Sequence, residues 1–326
     1  MCRSITILED SLTFRYSVMV GLLKITVAEL WRLDNAMCVN LRCFIFCITL
    51  FSFALTNHIA LAKVGDTYYC EKTGGRLLFN DGKSFENKTL EYGLSNTYGL
   101  WNTVEIFDFN QDGYPDIIAG NSGINSKWHP TIERPVKLYL DDFDQNQQAD
   151  PVIIYPYGNL NIPFATKDKL AAQLPFVKKR FTQYKDFAKV SSIKSLLGKN
   201  EEEILQTKQL NELRSMIFLN QNGDRFDNQP LPPIAQQSSI ESFSINKSNG
   251  DIAFVGNSKS WVVELGSSLA NSGGILKAYD PNTNTYESFE SFPLPIGTVG
   301  KSIEQLPNSD YVIIVNNGNA YKISAN

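Results

Sequence analysis

From Lys63 onward the chain alternates short apolar runs with clusters of Asn, Asp and Gly. Arg76-Leu-Leu-Phe-Asn80-Asp81-Gly82-Lys-Ser-Phe85 places strand-forming residues on either side of Asn-Asp-Gly, the pattern of a β-hairpin. Some two dozen residues on, the polar stretch Asp108-Phe-Asn110-Gln-Asp112-Gly113-Tyr114-Pro-Asp116 runs straight into Ile117-Ile118-Ala119 and then Gly120-Asn121. The β-branched pair predicts a strand there. Arg134 to Leu140 reads as a strand of alternating character. It leads into a second polar stretch, Asp142-Phe-Asp144-Gln-Asn146-Gln-Gln148-Ala-Asp150, and then Pro151-Val-Ile-Ile-Tyr155.

The unit recurs twice in worn form. Phe218-Leu-Asn220-Gln-Asn-Gly223-Asp-Arg-Phe226 repeats the hairpin, and Asp251 to Asn257 repeats the strand that ends in Gly-Asn. Tyr279 to Tyr286, then Asn308-Ser-Asp310-Tyr-Val-Ile-Ile-Val315, is the last copy. Between the second and third copies the period changes. Lys167 to Leu174 and Glu201 to Ser215 carry apolar residues three and four apart, which predicts helices, with Pro175 and Gly198 as interruptions. The expected fold is all-β with a short helical insertion at about 163–215.

The two polar stretches carry the chemistry. Oxygen side chains fall at positions one, three, five and nine of each, on a turn tight enough for them to converge. Calcium is a hard cation that takes about 6–8 oxygen ligands, so it suits such a point. The predicted ligands are Asp108, Asn110, Asp112, the Tyr114 carbonyl and Asp116 in the first loop. In the second they are Asp142, Asp144, Asn146, Gln148 and Asp150. Gly113 at position six supplies a positive φ without steric cost. Its counterpart is Gln147, where a left-handed conformation costs on the order of 1–2 kcal/mol, and this marks the second loop as the poorer cage. Neither loop is an EF-hand, because position twelve of the first is Ala119 and a strand follows. Aligned backwards from Asp251, positions one, three and five are Phe243, Ile245 and Lys247; backwards from Asp310 they are Ser302, Glu304 and Leu306. Neither set makes a calcium cage.

Composition narrows the function. The chain has 326 residues, 43% hydrophobic and 20% charged, with a formal charge of −4. That is enough apolar content for a sizeable core, and it lacks the basic balance of a general nucleic-acid binder. Residues 37–62 resemble a secretory signal: Met37 and Arg42 precede the apolar run Cys43 to Leu55, and Ala60-Leu61-Ala62 fits a small-x-small cleavage site. An uncleaved signal anchor is the alternative, and the one expected route to a membrane. Residues 1–36 read as an upstream extension, with translation beginning at Met37. Removal of residues up to Ala62 leaves one cysteine, Cys70, and one histidine, His129. No internal disulfide and no histidine-rich zinc site are then expected. There is no Gly-x-Ser-x-Gly elbow, so nothing marks a nucleophile and no catalytic residue is assigned. Trp101, Trp128 and Trp261 are candidate sugar platforms. Trp101 opens a strand and is expected in the core, whereas Trp128, in a Pro-flanked loop, is the best surface candidate. The Lys178-Lys179-Arg180 cluster reads as a solvated helix face.

Hairpin, acidic loop and strand ending in Gly-Asn, repeated, resembles the FG-GAP/VCBS repeat family, particularly bacterial exported members with a helical insert. Phe79 to Gly82, Leu100-Trp101-Asn102, Asp108 to Asn121, Asp142 to Asp150 and Asp251 to Asn257 carry the likeness. Asn121 to Ser126, Pro163-Phe-Ala and Tyr184 to Ala188 carry the closer match. The resemblance spans roughly 70–320. It implies a β-propeller of four-stranded blades, integrin-α-like, over 63–326, with Ca2+ in the intact loops. The function expected is a secreted, periplasmic or cell-surface, non-enzymatic module that binds an extracellular or cell-surface protein or glycan, not nucleic acid. Two alternatives stay open: a carboxylate-based polysaccharide hydrolase or lyase, for which Asp141 and Glu133 are the candidate acids, and a cell-envelope scaffold docking through the helical insert.

Overall fold

A computed structural model describes residues 61–64, 67–71, 75–80, 85–259, 262–280, 283 and 285–324, all within the unit Thr49–Asn326. The extension 1–36 and the signal up to Ala60 lie outside the described residues. Leu61 and Ala62, the end of the expected signal, open the first strand. Among the described residues no helix is long and apolar enough to cross a membrane.

The protein is mostly β, built from antiparallel sheets. Strands β1 (Leu61–Val64), β2 (Thr67–Glu71), β3 (Gly75–Asn80) and β4 (Phe85–Asn87) form the first sheet as a simple meander. The expected 76–85 hairpin is the β3–β4 pair, in which Asn80 faces Phe85. Strands β5 (Thr103–Phe107) and β6 (Asp116–Gly120) begin a second sheet. The chain then leaves it to build a third, from β7 (Val136–Asp141), β8 (Asp150–Tyr157), β9 (Leu160–Pro163) and β10 (Gln206–Leu210), in the order β10-β7-β8-β9. Helices α1 (Lys167–Gln173), α2 (Pro175–Arg180), α3 (Tyr184–Phe187) and α4 (Ile193–Leu197) lie between β9 and β10. The chain returns to the second sheet with β11 (Met216–Gln221) and β12 (Arg225–Pro230), giving the order β12-β11-β6-β5. Strands β13 (Ile240–Ile245), β14 (Ile252–Gly256), β15 (Gly273–Asp280) and β16 (Thr285–Ser291) form a fourth sheet, and β17 (Gly300–Gln305), β18 (Tyr311–Val315) and β19 (Tyr321–Ile323) a fifth.

Two expectations change. The hairpin of the third copy, β11–β12, belongs to the sheet of the first loop, with Ile217 opposite Ile118. Everything from Ser122 to Arg214 is therefore an insertion between neighbouring strands, and it contains a whole sheet as well as helices. Glu201 to Ser215 is not a helix: a 3-10 turn at Glu201–Glu203 gives way to β10, which pairs with β7. The apolar spacing that suggested a helix comes from Leu210 and Leu213, which are buried in the cluster beneath Trp128.

The central strands are apolar on both faces because both faces are covered. In β6, Ile118 joins a cluster with Phe243 and Phe254, while Ile117 and Ala119 join another with Trp101 and Phe218. In β14, Ile252 and Phe254 point into the first of these, while Ala253 and Val255 meet Ile303 and Ile313 of the fifth sheet. Strand β5 packs against β1 and β13, and β13 against β17.

The Gly-Asn endings follow from this stacking. A Cβ on Gly120 would come 2.9 Å from Ile240 Cγ2, and one on Gly256 would come 1.8 Å from the Ser239 carbonyl oxygen. Asn121 is fully buried. Its Oδ1 accepts from Leu100 N–H at 3.0 Å, and its Nδ2 donates to the Glu212 and Arg214 carbonyls at 3.1 and 3.2 Å. Asn257, also fully buried, donates to the Thr298 carbonyl at 2.8 Å.

Candidate metal centre

The two acidic loops join β5 to β6 and β7 to β8, and they fold by the same hydrogen bonds. In the first, Asp108 Oδ1 accepts from Asp112 N–H at 3.1 Å and Oδ2 from Gly113 N–H at 2.9 Å. In the second, Asp142 Oδ1 accepts from Asn146 N–H at 2.9 Å and Oδ2 from Gln147 N–H at 2.8 Å. Position three takes the N–H of position five in both, Asn110 from Asp112 at 3.2 Å and Asp144 from Asn146 at 3.2 Å. Position five takes the N–H of position seven, Asp112 from Tyr114 at 2.8 Å and Asn146 from Gln148 at 2.8 Å. Position nine takes the N–H of position two, Asp116 from Phe109 at 2.9 Å and Asp150 from Phe143 at 3.1 Å. Side chains thus take the backbone donors that a tight turn would otherwise leave without partners.

Positions four and six are left-handed in both loops: Gln111 at φ 59° and Gly113 at 90°, Gln145 at 63° and Gln147 at 68°. Gln147 accepts the strained conformation that glycine takes freely at Gly113.

The loops differ at position nine. Asp116 is fully buried, and its second oxygen accepts Asn220 N–H from β11 at 2.7 Å. Burial pushes its carboxyl up to about 6. The two N–H donors oppose this, and the Asp112 and Asp108 charges add to it. Asp150 is buried as well and is also raised by burial, with Phe143 N–H opposing and Asp144 adding to the shift. In the second loop, carboxylate oxygens of Asp142, Asp144 and Asp150 lie within 4.8 Å of one another. Among the described residues Asp108, Asp112 and Asp116 do not form such a group. The donor set of the second loop is therefore the closer fit to a hard cation, although its glycine is missing. Asn220 lies in the hairpin motif of the third copy, but only β6–β11 pairing reveals that it serves the first loop.

The worn copies have lost more than their acids. Eight residues separate β5 from β6 and β7 from β8, but six separate β13 from β14 and five separate β17 from β18. Phe243 and Ile245 lie in β13, with Phe243 in the core, and Ser302 and Glu304 lie in β17. The turns are too short for the nine-residue cage.

The other candidates are placed as follows. Trp101 is buried against Phe218, as expected, and its indole N–H donates to the Thr97 carbonyl at 2.9 Å. Trp128 is also buried, with its ring centroid 5.1 Å from that of Phe164, so it is no surface platform. Trp261 lies outside the described residues. His129 is exposed. A cleft of about 310 Å³ opens between the third sheet and α4, lined by Glu133, Arg134, Lys137, Tyr139 and Glu201 among others. Its carboxylates are engaged. Glu201 pairs with Lys137 at 2.5 Å and accepts from the Tyr139 hydroxyl at 3.2 Å. Glu133 is exposed, and N–H and Thr131 hydroxyl donors hold it below the ordinary carboxylate range. Asp141 is likewise lowered by its contact with Lys199 at 2.7 Å. A general acid requires a carboxyl held up, not down.

No family model matches the chain, and no curated protein does. Among solved structures it is similar to the crystal structure of Saccharomyces cerevisiae Sqt1, at 11% identity and a TM-score of 0.29. The match covers 81% of this chain and 58% of that one.

Proposed function

We propose that the chain is an exported calcium-binding β-propeller of FG-GAP/VCBS type, acting as a non-enzymatic module that binds a cell-surface protein or glycan. The first, second, fourth and fifth sheets are its blades, and the third sheet with its helices is an appendage. Two features support this arrangement. The central strands β6 and β14 each feed two hydrophobic clusters, and β1, β5, β13 and β17 pack in succession.

The calcium reading is carried by one observation: two loops of different sequence, in different sheets, fold by the same hydrogen bonds, and in the second of them three carboxylates converge. The position-nine acids are buried, and no side-chain cation pairs with them among the described residues. A divalent cation would supply the missing charge. In the second loop Asp142, Asp144 and Asp150 would hold it. In the first, Asp108 and Asp112 face the turn while Asp116 is bound to backbone.

Calorimetric titration of the full chain with calcium, alongside its melting temperature, tests this reading. Occupancy at 100 times Kd stabilises by about 2.7 kcal/mol, enough to raise the melting temperature by several degrees. Asp144→Ala should remove most of the heat and most of that rise. A melting temperature indifferent to both calcium and chelator would refute the metal reading.

A further inference from the structure

The helical segment carries a charge unlike the rest of the chain. Residues 163–200 hold nine cations, eight Lys and Arg180, against two carboxylates, Asp168 and Asp186. The remainder holds 21 cations against 32 carboxylates. A net charge of about +7 thus sits on the four-helix cap of an acidic protein, falling to +4 once the three carboxylates of the adjoining 3-10 turn Glu201–Glu203 are counted.

Both acids of the cap are engaged. Asp168 accepts from the Tyr184 hydroxyl at 2.6 Å, and Asp186 pairs with Lys189 at 3.2 Å. Lys169 pairs with Glu264 and Lys199 with Asp141, and the Lys167 ammonium lies 4.6 Å from the Tyr184 ring centre. Lys178, Lys179, Arg180, Lys185 and Lys194 remain. All five are exposed, and none forms an ion pair among the described residues, although Lys194 lies close enough to Glu203 to help the Asn200 N–H lower its carboxyl. The fold brings two of these groups together. Gly198, at φ 86°, caps α4, and a Cβ there would come 2.9 Å from Arg180 Nη1. The last turn of α2 therefore lies alongside the end of α4, which carries Lys194. Helix ends favour a nearby cation, but that preference does not require nine cations with two acids.

The composition of the patch indicates its partner. Lysines are point charges on flexible stems and lack the planar fork that recognises one carboxylate or phosphate bidentately. The cations are spread over a surface. Between 163 and 200 the one large apolar side chain strongly exposed is Tyr184, so no apolar face is available to enter a bilayer. Spread point charges suit a long, flexible chain of regularly spaced negative charges. We propose that this helical cap is a docking surface for a linear anionic polysaccharide of the uronate type. The proposal rests on the glycan-binding reading above and gives that reading a site distinct from the acidic loops.

The full chain, in chelator at low salt, is to be tested for binding to immobilised oligogalacturonate and to neutral dextran. Oligogalacturonate should bind and dextran should not, and affinity should fall steadily as salt rises. The triple variant Lys178→Glu, Lys179→Glu, Arg180→Glu should lower affinity about ten-fold or more and flatten the dependence on salt. Lys185→Glu with Lys194→Glu, at exposed sites outside α2, should lower it less and serves if the triple variant does not fold. Unchanged affinity in the folded variants would overturn the proposal, as would binding to phosphatidylserine vesicles without binding to oligogalacturonate. Binding to dextran that the variants leave alone would overturn this site but keep the glycan reading, whereas failure to bind either glycan would sink both.

Discussion

The loops Asp108–Asp116 and Asp142–Asp150 share their internal hydrogen bonds and differ in what stands behind them. Behind the first is β11, which offers the Asn220 N–H to Asp116. Both oxygens of that carboxylate are spent on backbone, and the loop is latched to a strand one hundred and four residues away. The second loop sits in a sheet where no equivalent strand reaches Asp150, and there the three carboxylates converge. One nine-residue pattern thus latches a remote strand in one place and gathers three carboxylates in the other. The deciding residue lies outside the pattern.

The largest test of this contrast is Asp116→Ala. It leaves two buried N–H groups, of Phe109 and Asn220, without an acceptor and should cost about 2–4 kcal/mol in urea unfolding. Asp150→Ala removes fewer backbone contacts and should cost less than half as much. Equal losses would mean that β11 adds nothing.

An intermediate effect is expected from pH. Asp116 is raised to about 6 in the folded chain from an ordinary 3.8. Between those values the folded state keeps a proton that the unfolded state has released. In chelator, the stability due to this group is therefore fully present below pH ~4 and lost as pH rises to ~6, the reverse of a salt-bridged carboxylate. Urea midpoints measured across that window should fall in the wild type and fall less in Asp116→Asn. A parallel slope in the variant would remove Asp116 as the cause.

The smallest effect concerns position six. Gln147→Gly relieves a left-handed glutamine but loosens the unfolded chain, for a net gain of up to about 1 kcal/mol. Gly113→Ala should cost about the same, since the space beside Gly113 is open and only its φ of 90° resists a side chain. If neither moves the unfolding midpoint, backbone strain does not separate the two loops.

Much of this was legible from residue patterns. The strands after the loops, the 76–85 hairpin and the Gly-Asn endings follow from alternation and turn chemistry, which are local. The composite second sheet was not legible, because the pairing of Ile118 with Ile217 spans an insertion that local patterning cannot count across. The burial of Trp128 was hidden for a related reason. Its cover comes from Phe164, Leu210 and Leu213, all remote in sequence. Leu210 and Leu213 also imitated a helical period in what is partly a strand. The last two copies keep the strand but shorten the turn, so a nine-residue frame set from Asp251 or Asp310 runs back into the preceding strand. The charge of the helical cap, in contrast, was there to be counted over forty residues, but a window on Lys178-Lys179-Arg180 alone is too narrow to reveal it.

The junction of the insertion has a consequence for how such a chain can change. β6 ends at Gly120 and β11 begins at Met216, with Ala119 already opposite Met216. Asn121 N–H donates to Ser215 Oγ at 2.9 Å, and Gly123 N–H to the Leu213 carbonyl at 2.8 Å, so the two ends meet as closely as the ends of an ordinary turn. The entropy of closing a loop grows only logarithmically with its length. Trading a short connection for some ninety residues that carry their own sheet and core therefore adds only about 3 kcal/mol of closure entropy, which the added core can offset. The appendage can be lengthened, recharged or exchanged while the strands on either side keep the same neighbours.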